Sequence, residues 1–146
     1  MDKRSFIRFG LAGSAAGIIV PNMVFAAAMD TGLESKFAGG IYYTSQKFGR
    51  WNQALADHHL PHLEKDTSYG KTKLHVATSH PMNEYNHYII KHQLLNSGFN
   101  FIQEHPYHPL KDKKPVSTFD LGSYRGPVYV MTMCNVHDVW MNMIEV

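Results

Sequence analysis

Alternating apolar and polar positions predict short β-strands in the second half of the chain. Leu74, Val76 and Thr78 alternate with His75 and Ala77, which is the period of two expected of a strand with one buried face. The same period recurs in Tyr88-Ile90-His92-Leu94, Phe99-Phe101 and Ser117-Phe119-Leu121, and residues 128–133 are apolar on both faces. Strong helix signals are few, so a predominantly β-structure is predicted.

Turn-forming residues divide these segments. The breaks fall at Pro81, at residues 96–98 and 105–115, at Gly122 and at Gly126-Pro127. Several short strands with turns between them predict an all-β fold, either an antiparallel β-sandwich or a barrel. Residues 51–63 fit a short helix or an irregular loop as well as a strand. A chain of 146 residues is expected to form a single domain.

The first 28 residues have the pattern of an export signal. A basic start with Lys3, Arg4 and Arg8 precedes an apolar stretch over residues 9–20, and small residues follow at 25–28. The apolar stretch is shorter than the roughly 20 residues that a spanning helix needs, which favours a cleaved signal peptide over a membrane anchor. We therefore predict a signal peptide at 1–28, and no stable membrane insertion after its removal.

The basic start also indicates an export route. The run Lys3-Arg4-Ser5-Phe6-Ile7-Arg8 resembles a twin-arginine signal with lysine in place of the first arginine. That pathway carries folded proteins, which suits a protein that is loaded with a cofactor before export. We expect a periplasmic protein, in which residues 29–47 are a linker or surface loop and residues 48–146 form the domain.

Charge and cysteine content exclude several classes of protein. The whole chain has a formal net charge of +2, and the predicted signal peptide contains three cations and one acid, so the remainder has a formal charge of zero. A neutral domain is a poor nucleic-acid binder, because such binding relies on neutralising phosphates. The single cysteine, Cys134, cannot form a disulfide within the chain.

Histidines and the one cysteine stand where predicted strands end. His80 opens a turn, His87 begins a strand, and Cys134 and His137 follow the most apolar strand. A Cys-x2-His pair can bind one metal through sulfur and imidazole, and further histidines can complete the ligand set. Structural zinc sites tend to use two or more cysteines, so one thiolate with several imidazoles favours a redox metal, iron or copper.

Other histidines and the methionines have simpler interpretations. We interpret four histidines as structural or surface groups: His75, His92, His105 and His108. Four methionines at alternate positions are interpreted as core filling: Met131, Met133, Met141 and Met143. This interpretation makes iron a better candidate than copper for the metal of the predicted site.

Three segments resemble, in order, the motifs of the superoxide reductase family, which comprises the neelaredoxins and the iron domain of the desulfoferrodoxins. They are His59-Leu60-Pro61, then His80-Pro81-Met82 with His87-Tyr88-Ile89, and then residues 134–140, Cys-Asn-Val-His-Asp-Val-Trp. The similarity covers residues 48–146. It implies an immunoglobulin-like antiparallel β-sandwich that holds one mononuclear non-haem iron.

The resemblance also implies the ligands and the reaction. The iron would be held by nitrogens of His59, His80, His87 and His137 in a plane, with the Cys134 thiolate on the axis and the sixth position open. The implied activity is the one-electron reduction of superoxide to hydrogen peroxide as iron changes between Fe2+ and Fe3+. An unidentified one-electron donor would restore Fe2+, and the resemblance allows a homo-oligomer.

Two alternatives from other classes stay open at this point. One is a non-catalytic β-sandwich that binds or senses a small ligand through iron. The other is a structural β-sandwich that uses the site for zinc or for no metal.

The sequence departs from the family pattern near each motif. Asp57 and His58 replace the family's Glu-Lys pair, to which the resemblance assigns catalytic roles. Aspartate is one methylene shorter than glutamate, and histidine as a residue type lacks the permanent charge of lysine. His80 and His87 are one residue further apart than usual, which predicts a bulge before the following strand. Asp138 replaces a frequent glycine, and aspartate tolerates a left-handed backbone better than most residues.

Overall fold

The computed structural model describes Leu33 and residues 35–146. The predicted signal peptide at 1–28 and the start of the predicted linker at 29–47 lie outside the described residues. No helix within the described part of the chain is long and apolar enough to cross a membrane.

Two antiparallel sheets form the domain, which confirms the predicted all-β sandwich. The elements in chain order are α1 (Gln53–His59), β1 (Pro61–Ser68), β2 (Lys71–Thr78), β3 (Ile89–Leu95), β4 (Phe101–Pro106), β5 (Val116–Gly122), β6 (Pro127–Cys134) and β7 (Asp138–Glu145). One sheet has the strand order β1-β2-β5 and the other has the order β4-β3-β6-β7.

The main core lies between the sheets, where the alternating residues predicted it. Leu74 and Val76 of β2 and Phe119 of β5 pack against Val128 and Val130 of β6 in one buried cluster. On β5 the burial alternates along the strand as a period of two requires. Burial of this apolar face is the main favourable contribution to folding.

Strand β1 was not predicted, because its sequence lacks an apolar face. Most of its side chains are exposed or half-buried, and it lies at the edge of its sheet beside β2. Residues 51–63, for which the sequence left helix, loop and strand open, contain the seven-residue helix α1 and, from Pro61, the start of β1. The Asn52 side chain caps this helix by accepting a hydrogen bond of 3.0 Å from the Leu55 amide.

The longer His80–His87 spacing predicted a bulge before β3, but the structure has a register shift inside this strand instead. The register between β3 and β6 shifts between Ile89 and Lys91. As a result Ile89 is fully buried and Ile90 is 38% exposed, so the prediction that Ile90 shares a face with His92 was wrong.

Part of the segment 29–47 packs on the outer face of the larger sheet. Tyr42 is buried there with Met141, and the half-buried Met131 and Met143 pack against the same cluster. The Tyr43 amide donates to the Val139 carbonyl at 2.9 Å, and the Met141 amide donates to the Tyr43 carbonyl at 2.8 Å. These methionines therefore fill a small core outside the sandwich.

A polar network centred on His92 joins the two sheets beneath one end of the sandwich. The His92 ring is fully buried, and its Nε2 atom lies 2.9 Å from Thr78 Oγ1. Its Nδ1 atom lies 2.8 Å from Ser117 Oγ and 3.0 Å from the Tyr107 hydroxyl. Buried polar groups need hydrogen-bond partners, and these contacts supply them, so they support the interpretation of His92 as a structural residue.

Candidate metal centre

Five side chains from separate elements meet at one end of the sandwich. His59 ends α1, His80 follows β2, His87 precedes β3, Cys134 ends β6, and His137 lies in the turn between β6 and β7. One potential ligand atom from each lies within 4.8 Å of all the others. The structure thus brings together all five residues that the sequence motifs predicted as ligands.

The four imidazole nitrogens form a chain of close neighbours. His80 Nε2 lies 2.9 Å from His87 Nε2, which lies 3.0 Å from His137 Nδ1, which lies 3.1 Å from His59 Nε2. A square with sides of about 3.0 Å has its centre about 2.1 Å from each corner, which is the length of a metal–imidazole bond. The spacing therefore suits a single metal ion.

The cysteine sulfur lies to one side of these nitrogens. Cys134 Sγ is 3.6 Å from His80 Nε2 and 3.7 Å from His137 Nδ1, two nitrogens that are not neighbours in the chain of contacts. Near-equal distances to these two nitrogens agree with the position that the resemblance implies for the sulfur. Ile89 and Tyr107 bury it in an apolar pocket, with the half-buried Met82 beside them.

Hydrogen bonds from the protein select the tautomers of the two buried histidines. His59 Nδ1 lies 2.7 Å from the Leu55 carbonyl, and His80 Nδ1 lies 2.5 Å from the Pro81 carbonyl. A carbonyl oxygen only accepts, so each Nδ1 carries the proton and each Nε2 directs a lone pair at the centre. Outer partners of this kind orient metal-binding histidines.

Burial keeps these histidines neutral. It lowers the pKa of His59 to about 4 and that of His80 to about 3, and the neighbouring imidazoles add to both effects. Burial also lowers the pKa of His87, with a further contribution from His137. For Cys134, burial raises the pKa of the thiol. A bound cation would be needed to hold this sulfur as a thiolate near neutral pH.

The turn between β6 and β7 is fixed from several sides. The Trp140 indole donates a 2.8 Å hydrogen bond to the His137 carbonyl, and the Val136 amide donates to Cys134 Sγ at 3.4 Å. Asp138 has a left-handed backbone with φ of 64°, which confirms the conformation predicted for it. Its carboxylate also accepts a hydrogen bond of 2.7 Å from the Arg50 guanidinium.

Asp57 and His58 lie outside the five-residue cluster. Asp57 is exposed on α1, and its carboxylate accepts a 2.8 Å hydrogen bond from the Gln53 side chain. Two positions along a helix correspond to a rotation of about 200°, so Asp57 and His59 point in nearly opposite directions. His58 is exposed, with Nδ1 3.2 Å from the Ser79 carbonyl. Their catalytic roles stay predictions.

Two further residues support the site and were not predicted. The Trp51 ring packs edge-on against His137 with ring centroids 5.1 Å apart, and no sequence signal marked this contact. Asn135 lies inside the third motif, but its spacing gave no indication of its hydrogen bonds to the loop that carries His87.

The metal-free protein is expected to lose stability as the pH falls from about 6.5 towards 4. His59, His80 and His92 stay neutral in the fold because burial lowers their pKa values to about 4, 3 and 3, whereas in the unfolded chain they gain protons near pH 6.5. The unfolded state then binds more protons, and the free energy of unfolding falls with falling pH.

Urea unfolding of the metal-free protein at several pH values would measure this slope. Replacing His92 with leucine should reduce the slope of the free energy of unfolding against pH by about one proton, because one of the three buried histidines is then absent. A free energy of unfolding that does not vary between about pH 6.5 and 4 would contradict the prediction.

A β-sandwich with four imidazoles and one thiol around a single point belongs to the class of mononuclear, thiolate-ligated metal proteins. The sequence model of the desulfoferrodoxin family matches residues 52–143. The chain therefore belongs to the desulfoferrodoxin family, and its histidine and cysteine cluster fits a mononuclear iron.

Solved structures with the same fold include superoxide reductases. The superoxide reductase (neelaredoxin) from Ignicoccus hospitalis is 24% identical, with a TM-score of 0.61 over 74% of this chain and 95% of that chain. A superoxide reductase in the oxidised state is 25% identical, with a TM-score of 0.51 over 60% of this chain and 87% of that chain. A hypothetical protein from Pyrococcus horikoshii OT3 is 24% identical, with a TM-score of 0.51, over 60% of this chain and 88% of that chain. No curated protein matches the sequence significantly.

Proposed function

We propose that this protein is a superoxide reductase, which combines superoxide with one electron and two protons to give hydrogen peroxide. The observation that supports the proposal most directly is the single cluster of four imidazole nitrogens and one sulfur. Membership of the desulfoferrodoxin family supports the same activity. When bound, iron supplies the electron by changing between Fe2+ and Fe3+, and an outside one-electron donor of unidentified nature restores Fe2+.

The protein's own groups prepare the centre for this chemistry. Neutral Nε2 atoms of His59 and His80 face the centre because carbonyl groups hold the opposite ring nitrogens. With a metal bound, Cys134 would be its thiolate ligand and would supply electron density that tunes the potential of the metal. The Val136 amide donates a hydrogen bond to that sulfur and moderates its charge.

The same residues control access to the centre. His59, His80 and Cys134 are buried, whereas His87 and His137 are half-buried and reach the surface. A small anion can therefore approach from the surface, while the apolar pocket around Cys134 keeps water from the sulfur. The predicted mature domain has no net charge to attract an anion, so local groups such as the exposed His58 would have to guide it.

Pulse radiolysis of the iron-loaded, reduced protein would test the activity. We expect second-order consumption of superoxide, with one hydrogen peroxide formed for each superoxide and no release of dioxygen. The zinc-loaded protein is the matched control, because zinc does not change its oxidation state. Dioxygen released at half the superoxide consumed would indicate dismutation and would contradict the proposal.

The placement of Asp57 favours one second candidate, a non-catalytic iron protein that binds or senses a small ligand. The Asp57 carboxylate, which replaces the family's glutamate, accepts a hydrogen bond from Gln53 on the exposed face of α1 and lies outside the five-residue cluster. A reduced protein that binds a small anion but does not consume superoxide in the same experiment would support this candidate.

We also propose that the protein acts in the periplasm after export by a twin-arginine-type route. The basis is the basic and apolar pattern of residues 1–28. Cell fractionation of the full-length chain tests this proposal, and iron-loaded protein confined to the cytoplasm would contradict it.

A further inference from the structure

One asparagine side chain joins the two loops that carry four of the five ligands. Asn135 Oδ1 accepts a hydrogen bond of 2.8 Å from the Tyr88 amide. Its Nδ2 atom donates to the Tyr85 carbonyl at 3.2 Å and to the Asn86 carbonyl at 3.3 Å. The Asn135 amide also donates to the Tyr88 carbonyl at 3.2 Å. The turn with Cys134 and the loop with His87 are thus tied by one side chain.

The His87 ring depends on its loop more than the buried histidines do. His59 and His80 are each held by a hydrogen bond from Nδ1 to a carbonyl outside the cluster. Among the described residues, the His87 ring makes no hydrogen bond outside the cluster, and its Nε2 atom only lies close to His80 Nε2 and His137 Nδ1. The position of this ring is therefore set by the backbone on either side of it.

The backbone concerned is the loop between His80 and His87, which is longer and less regular than a tight turn. His80 and His87 are one residue further apart than the family usually has, and Glu84 adopts a left-handed conformation with φ of 46°. The Asn135 side chain binds this loop with one acceptor, Oδ1, and with the two N–H donors of Nδ2. Aspartate could only accept, and alanine could do neither.

We propose that Asn135 is a positioning residue, which holds His87 in place against Cys134 and His137 so that the metal keeps its fourth imidazole. The inference rests on the iron site of the proposed function but not on the reaction catalysed. Removing an outer-shell partner of a metal ligand typically lowers metal affinity by about 10- to 100-fold. An effect of that size should appear as faster loss of iron.

The test measures the rate at which Fe2+ leaves the full-length, iron-loaded protein for an excess of a coloured chelator. We expect Asn135→Ala to release iron about 10- to 100-fold faster than the parent. Asn135→Asp has nearly the same shape and keeps the acceptor for the Tyr88 amide, but it loses both donors and should also release iron faster. This second variant keeps the test decisive if the alanine variant does not fold.

Asn96 provides a matched control in another turn of the same sheet. Its Oδ1 atom accepts hydrogen bonds from the Gly98 amide at 2.9 Å and the Asn100 amide at 3.0 Å, beyond the opposite end of β3 from His87. Asn96→Ala therefore removes a comparable set of contacts away from the metal. We expect it to lower the melting temperature and to leave iron release within about twofold of the parent.

A double-mutant cycle separates a role through His87 from a general loss of stability. In the background of His87→Ala, adding Asn135→Ala should change iron release by no more than about twofold, because the ring that Asn135 positions is already absent. Parental release rates in both Asn135 variants would overturn the proposal, and so would fully additive effects with His87→Ala. A parent protein that binds no iron would instead defeat the proposed function on which the inference rests.

Discussion

Replacing Cys134 with serine is expected to abolish the sulfur-to-iron charge-transfer band of the oxidised, iron-loaded protein while the β-sandwich stays folded. Cys134 is the only cysteine in the sequence, and its sulfur is the only thiol in the five-residue cluster. Serine has nearly the same volume, and placing its hydroxyl in the apolar pocket costs about 1–3 kcal/mol, less than the total stability of a typical domain.

Absorption spectra from the visible to the near infrared would measure the band, and far-ultraviolet circular dichroism would monitor the fold. Met82 offers a matched control, because it is the methionine packed beside Cys134 in the same pocket. Met82→Leu keeps the volume and should leave the band unchanged. An unchanged band in the serine variant would exclude Cys134 from the metal centre.

The full ligand set could be predicted through the resemblance of three segments to the motifs of a known family, and most of these residues also lie at the ends of predicted elements. Each motif marks a place where a strand or helix stops, and a β-sandwich brings such ends together around one rim. Alternation along β2 and β5 likewise predicted which residues face the core, since one face of each strand is buried. The alternation follows from local sequence alone, whereas the ligand set needed the resemblance.

Other features depend on contacts that no local pattern encodes. Strand β1 has polar side chains on both faces, so its pairing with β2 is set by backbone hydrogen bonds at the sheet edge. The bulge at Ile89 reverses the face of Ile90, because one extra residue shifts the phase of a strand. Asn135 and Trp51 support the ligands from segments whose proximity only the tertiary structure establishes.

The largest losses of iron affinity are expected from alanine substitution of the four clustered histidines: His59, His80, His87 and His137. Each contributes one nitrogen to the centre, and its removal leaves an incomplete ligand set and a vacant corner. The effect should exceed the roughly 10- to 100-fold loss that follows removal of an outer-shell partner. The half-buried His87 and His137 are the cleanest positions to test, because their truncation leaves smaller cavities than at the buried His59 and His80.

His105 and His108 are the matched controls for this series, since both are exposed and neither contributes an atom to the cluster. Their alanine variants should stay within about 0.5 kcal/mol of the parent in stability and should bind iron with parental affinity. Titration of the metal-free proteins with Fe2+, together with metal analysis after gel filtration, would measure the affinities. His59→Gln should accompany His59→Ala, because a larger side chain limits the cavity while still removing the imidazole. Equal iron affinities in all six alanine variants would show that the centre lies elsewhere; a loss confined to the four clustered positions would assign each of them to the metal.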